Sequence, residues 1–242
     1  MTIRFVSLAA VSLIAGACNF GDGADAKERD PGSEVTRTYQ VGAFDKVAVA
    51  GPYEVNVVTG GQPGVTAKGG EHLLDETEVV VDGDTLEIRP KKHKGVRWTW
   101  RNGKAVFTVN TAALHGAAIA GSGGVTVDRV AGDFDGDVAG SGDMRIGQIA
   151  GGKVKLAIAG SGDVEAAGKA DSVELAIAGS GDIRAGGLAA RTADVSIAGS
   201  GNVNANASES ADVSIMGSGN VELSGGAKCS VSKAGSGNVS CR

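Results

Sequence analysis

Apolar and polar residues alternate through the second half of the chain, and the alternation is keyed to a recurring Gly-Ser-Gly triplet. Two places before the first glycine of each triplet stand Ile119, Val138, Ile158, Ile177, Ile197, Ile215 and Lys233. Four places after it stand Val125, Met144, Val164, Ile183, Val203, Val221 and Val239. The positions four and six before it, and six after it, are filled in the same way, from Ala117, Gly136 and Leu156 to Val127, Ile146 and Ala166. His115, Phe134 and Val154 open the ladder six places before the triplet. A period of two marks strands with one buried face, and helical spacing fails on these positions.

The triplets lie at 121–123, 140–142, 160–162, 179–181, 199–201, 217–219 and 235–237, at intervals of 19, 20, 19, 20, 18 and 18 residues. Each unit reads as a strand, a glycine corner, a second strand and a variable stretch that absorbs the drift. One unit cannot bury its own apolar face, but stacked units can. Equivalent strands ~4.8 Å apart form parallel sheets, and seven coils would extend roughly 34 Å. The pattern therefore predicts an all-β, parallel β-solenoid (β-helix) with about 19 residues per coil. The crossover preference of parallel strands makes it right-handed. A propeller blade, at about 40 residues, is too long for this period.

Residues 35–114 carry further strand-like runs, TRTYQV, KVAVAG, YEVNVVTG, GVTAKG, TEVVVDGDTLEIRP and RWTWRNGKAVFTVN. Asp82-Gly83-Asp84 between two of them reads as a tight turn. The 19-residue period does not extend into this half, and no helix pattern is evident anywhere. Wider, irregular coils or packed hairpins continuous with the solenoid are expected, so that residues 35–242 form one domain.

The start of the chain is of a different kind. Arg4 precedes an apolar run over 5–14, which is too short for the roughly 20 residues of a membrane span. It fits a secretory signal peptide covering residues 1–17. Ala15 and Ala17 suit ordinary signal cleavage, which would release a soluble periplasmic protein. Small residues directly before Cys18 also resemble a bacterial lipobox, in which Cys18 is acylated and becomes the mature N-terminus. Asn19 after it favours the outer membrane. Residues 18–34 are polar and rich in Gly and Asp, as expected of a flexible tether.

Cysteine placement bears on both ends. Cys229 lies six residues before Gly235 and Cys241 six after it, so both occupy inward ladders of the last coil. A disulfide facing across the core there would close that coil, which an oxidising compartment allows. Cys18 is then the odd cysteine, and lipidation explains it best. Composition narrows the classes further. Forty glycines could signal collagen or disorder, but only four prolines and 42% apolar residues argue against both. A net charge of −5 gives no reason to expect a nucleic-acid partner.

Several motifs occur in a recognisable order: Ala43-Phe44-Asp45-Lys46-Val47, Gly51-Pro52-Tyr53-Glu54-Val55, Leu86-Glu87-Ile88-Arg89-Pro90, and then the Ala-Gly-Ser-Gly-Asp/Asn units. With the exported leader, the layout over about residues 40–242 resembles the GIN domain family of adhesin heads from bacterial envelopes. That resemblance implies a β-helical fold, a place in the cell envelope or at the surface of a Gram-negative bacterium, and an adhesive or structural role. It brings no catalytic residues and no cofactor.

Candidate chemistry is sparse. The residue after each triplet gives a ladder of Gly124, Asp143, Asp163, Asp182, Asn202, Asn220 and Asn238. Stacked carboxylates could attract Ca²⁺, but Asp and Asn also serve turn hydrogen bonding, and no metal site is assigned. Both tryptophans, Trp98 and Trp100, share one face of a basic stretch, residues 89–104, that includes Arg89, Lys91, Lys92, Arg97 and Arg101. Cations beside aromatics could grip an acidic glycan or a lipid phosphate, which makes this stretch the candidate ligand site. His72, His93 and His115 lie in no triad-like or metal motif, and a G-x-S-x-G nucleophile elbow is absent. Asp128, Asp133, Asp135 and Asp137 could suggest a polysaccharide-active β-helix enzyme, but basic partners are missing nearby. The expectation is a non-enzymatic module.

Overall fold

The computed structural model describes residues 27–91, 98–100 and 103–242. The repeats form a parallel β-solenoid. Strands before each triplet stack into a first sheet, with Phe134 beside Val154, Val154 beside Val173 and Ile158 beside Ile177. Strands after it stack into a second, with Val125 beside Met144 and Met144 beside Val164. The alternating residues fill the space between: Ile119, Val138, Ile158, Ile177, Ile197 and Ile215 are all buried. Gly136 leaves a gap in one ladder, and a Cβ there would meet Leu156, Met144 and Phe134, which already occupy that space. His115 departs from its expected inward position. Its ring is exposed, and the neighbouring Leu114 is buried instead.

The corners explain the triplet. Gly160 has φ +138°, a left-handed conformation that side chains rarely adopt. Gly162 is constrained by proximity, since a Cβ on it would collide with the carbonyl oxygen of Gly142 one coil away. Bare corners let the Ser161 N–H donate to Gly140 O at 2.8 Å, and Ser180 to Gly160 O at 2.8 Å. The same bond recurs at Ser141, Ser200, Ser218 and Ser236, giving a hydrogen-bonded spine along one edge of the molecule.

The first half continues the stack out of chain order. Strand Lys46–Ala50 pairs in parallel with Gly116–Gly121, and strand Glu54–Thr59 pairs with Gly124–Ala131. On their other side lie strands Thr85–Pro90 and Ala105–Thr111, also parallel. The coil nearest the chain start is thus held between two later ones. Its corner is Gly51-Pro52-Tyr53, where the Gly51 N–H donates to Ala120 O at 2.9 Å. Outside this, pairing turns antiparallel: Gly64–Gly70 lies on Ala105–Thr111, Glu34–Tyr39 on Gly64–Gly70, and Thr77–Asp82 on Thr85–Pro90. The turn at Gly83, with φ +62°, joins the last pair.

A helix, Glu71–Asp75, corrects the expectation of none. Its five residues are too few to display a helical period, yet Leu73 and Leu74 are buried against the end of the stack. Pro31 and Ser33, in the segment expected as a tether, accept hydrogen bonds from the His72 and Glu71 N–H groups at 2.9 Å. Strand Lys27–Arg29 pairs with Trp98–Trp100. At the opposite end Cys229 and Cys241 form the expected disulfide, with Cα atoms 6.7 Å apart. Cys229 is half-buried and Cys241 exposed, so the bridge sits at the margin of the core rather than within it.

Candidate functional site

The triplet serines form an exposed row along the corner edge, one per coil. Their backbones hold the spine together, and their side chains stand in line without converging on a common point. The adjacent Asp/Asn ladder is engaged in the same way. Asp143 Oδ1 accepts from the Asp163 N–H at 3.1 Å, Asp163 Oδ1 from the Asp182 N–H at 3.0 Å, and Asp182 Oδ1 from the Asn202 N–H at 3.0 Å. Asn220 Nδ2 continues it by donating to Asn202 Oδ1 at 2.8 Å. A carboxylate or amide at this position ties one coil to the next, and Asn does so as well as Asp. Among the described residues, no group of three or more His, Cys, Asp or Glu side chains is placed to hold a metal ion.

The acidic cluster also resolves into local roles. Asp128 Oδ1 accepts from the Thr59 N–H at 3.0 Å, and Asp133 Oδ1 from the Lys153 N–H at 2.7 Å. Partial desolvation, and then neighbouring Asp135, raise the Asp137 carboxyl above its ordinary range.

Of the basic stretch, Lys91 is exposed and its backbone N–H donates to Glu76 O at 2.8 Å. Arg89, from the same stretch, pairs with Glu78 at 2.9 Å and with Glu87, so it is not free to meet a ligand. Trp98 and Trp100 lie in the strand paired in parallel with Lys27–Arg29. Lys92, Arg97 and Arg101 lie outside the described residues, as does Cys18.

A second surface went unnoticed in the sequence. The outer face of the second sheet carries a shallow open groove of about 760 Å³ near the disulfide end. Its floor and rim include Arg184, Gly187, Asn204, Glu222, Asn238 and Ser240. Arg184 pairs with Asp163 at 2.8 Å and with Asp182 at 3.3 Å, and Arg242 with Glu222 at 3.6 Å. The hydrogen bond to Asp163 raises the Arg184 pKa further, so the guanidinium keeps its charge. The only advance signal of this groove is the drop in triplet spacing from 20 to 18 residues.

Comparison with known proteins agrees with this architecture. The family described as “Putative auto-transporter adhesin, head GIN domain” matches residues 43–227. A “putative adhesin” from Bacteroides fragilis is 26% identical, with TM-score 0.77 over 87% of this chain and 98% of its own. A “Putative lipid binding protein” from Parabacteroides distasonis is 26% identical, with TM-score 0.74 over 88% of this chain and 100% of its own. A “putative adhesin” from Parabacteroides merdae shares the fold at 20% identity, TM-score 0.68, over 88% of this chain and 98% of its own. No curated protein matches the chain.

Proposed function

The chain belongs to the GIN-domain family of adhesin heads, and from that premise we propose that it is an exported, non-enzymatic β-solenoid serving as an adhesive or structural module of the bacterial envelope. The observation that carries this reading is the fate of the repeated polar residues. Seven serines line an edge instead of meeting in a pocket, and the ladder side chains from Asp143 to Asn220 are taken up in bonds between coils, leaving only that of Asn238 in the last coil. The repeats thus make shape, and the broad polar outer faces are left for contact. Cells displaying the protein should attach to host or envelope surfaces, and cells lacking it should not. Equal attachment by both would refute the adhesive role.

Anchorage follows from the leader. With Cys229 and Cys241 bonded to each other, Cys18 has no disulfide partner within the chain. Acylation at Cys18, with Asn19 directing the protein to the outer membrane, gives it a use. Mass spectrometry of the native N-terminus should find a diacylated Cys18; a free thiol would overturn the anchor.

A second reading is favoured by the likeness to the P. distasonis chain described as a “Putative lipid binding protein”. Here Trp98, Trp100, Arg97, Arg101, Lys91 and Lys92 grip an acidic glycan or a lipid phosphate. Retention on phosphatidylglycerol vesicles and on dextran sulfate should fall when both tryptophans become alanine. Unchanged retention removes this role.

A further inference from the structure

We propose that the groove on the second sheet is the contact site of the adhesive module and that its ligand is a neutral oligosaccharide. This rests on the adhesive reading above and gives it a location and a ligand class.

A change in coil length builds the groove. The strand Ile183–Gly199 pairs with the next coil as Ala185 with Ala205 and then Ala189 with Asn206, so residues 186–188 have no counterpart there. Leu188 turns into the core, while Gly187 stays exposed at the rim. The coils that follow are two residues shorter, 18 against 20. Their outward side chains therefore lie below a step, and the step is the wall of the groove.

The lining selects the occupant. A peptide that adds as a strand needs an open sheet edge, but this groove crosses a sheet face whose backbone groups bond between coils. Ile183, Val203 and Val221 belong to the core, which leaves no large apolar side chain to hold an acyl chain. Glu165, Asp182 and Glu222 outnumber Arg184 and Arg242, which disfavours an acidic polymer.

What remains is amide and hydroxyl chemistry. The side chains of Asn204, Asn238 and Ser240 have no hydrogen-bond partner among the described residues. An amide offers donors and an acceptor together, matching a sugar hydroxyl that is itself both. Asn204 Oδ1 lies over the bare backbone of Gly186, where a Cβ would collide with it. Outward rows repeat from Glu165 to Ser240 over five coils. At ~4.8 Å per coil that is ~19 Å, the length of an oligosaccharide rather than a single sugar.

The test probes the full mature chain with an array of neutral glycans, including amylose, mannan, xylan and laminarin oligosaccharides. Dextran sulfate and phosphatidylglycerol vesicles serve as the acidic and lipid arms. At least one neutral glycan should bind, and Asn204→Ala/Asn238→Ala should weaken it roughly tenfold or more, the effect of losing two hydrogen-bonding groups. Gly187→Gln, which narrows the groove from its exposed rim, should do the same by a different route. Ser196→Ala/Ser214→Ala, on the outward face of the first sheet, should bind as the parent does. No neutral-glycan binding, binding in the acidic or vesicle arm alone, or binding indifferent to both groove changes would overturn the proposal. Cell attachment that survives the groove changes would remove the site yet leave the adhesive reading standing. A parent chain that confers no cell attachment at all would remove that reading itself.

Discussion

Substituting Gly162 by alanine tests the account of the corner most directly. The added methyl would press on Gly142 O and lie 2.9 Å from Val138 Cγ1, and neither can swing aside. Overpacking of this kind costs about 1–3 kcal/mol. Relief requires the two coils to separate. That would strain the Ser161 N–H and Gly162 N–H bonds to Gly140 O, at 2.8 and 3.1 Å, each contributing about 1 kcal/mol. The combined loss is at most roughly 3–5 kcal/mol, which for a domain of this size lowers Tm by roughly 6–20 °C. Ser161→Ala, at the exposed centre of the same triplet, should stay within about 0.5 kcal/mol of the parent. Thermal unfolding followed by far-ultraviolet circular dichroism compares the two. Gly162→Ala melting together with Ser161→Ala would refute close stacking of the corners.

Three further outcomes are expected. Cys229→Ser/Cys241→Ser opens a loop with a separation of 12 residues and should cost about 3 kcal/mol by chain entropy; reductant should lower the parent's Tm to the variant's, and a parent insensitive to reductant would count against it. Leu156→Ala empties fully buried space between the sheets and should cost about 2–5 kcal/mol by urea denaturation, whereas a loss below about 1 kcal/mol would mean the coils collapse to fill it. Asp137→Asn should raise Tm at neutral pH, because partial desolvation and Asp135 raise the folded carboxyl above its ordinary 3.8, so its ionisation costs stability as pH rises through that window. The advantage should close as pH falls below 3.8, where the carboxyl is protonated folded or unfolded; an advantage independent of pH would refute the assignment.

How much of this was legible in the chain varies from place to place. The ladders through Ile158, Leu156 and Val164 were readable because each coil repeats the same spacing around a triplet, so local pattern and tertiary neighbour coincide. The same register identified the Cys229–Cys241 pair. Strands of the first half were also readable one by one, but their order was not. Nothing local to Lys46–Ala50 shows that its neighbours are Thr85–Pro90 on one side and Gly116–Gly121 on the other. Pairing across such separations depends on the whole fold, and Gly51-Pro52-Tyr53 carries no Gly-Ser-Gly to mark it as a corner. The helix Glu71–Asp75 was too short for a period, and only its packing makes it helical. The groove is a difference between coils, visible only as a two-residue change in spacing, and its amides look like any other polar strand residues until Gly186 and Gly187 give them a wall.

The interleaved first coil has a consequence for how the molecule could vary in size. One end is locked, because the coil near the chain start is clamped on both sides and closed over by antiparallel strands and a helix. Beyond it, every added triplet contacts only its immediate neighbours. The stack therefore behaves as a ruler with a fixed zero: a whole unit of 18 to 20 residues could be inserted between two corners, moving the groove outward by ~4.8 Å without disturbing the lock. The distance of the groove from the locked end would then be set by counting repeats, independently of what the groove binds.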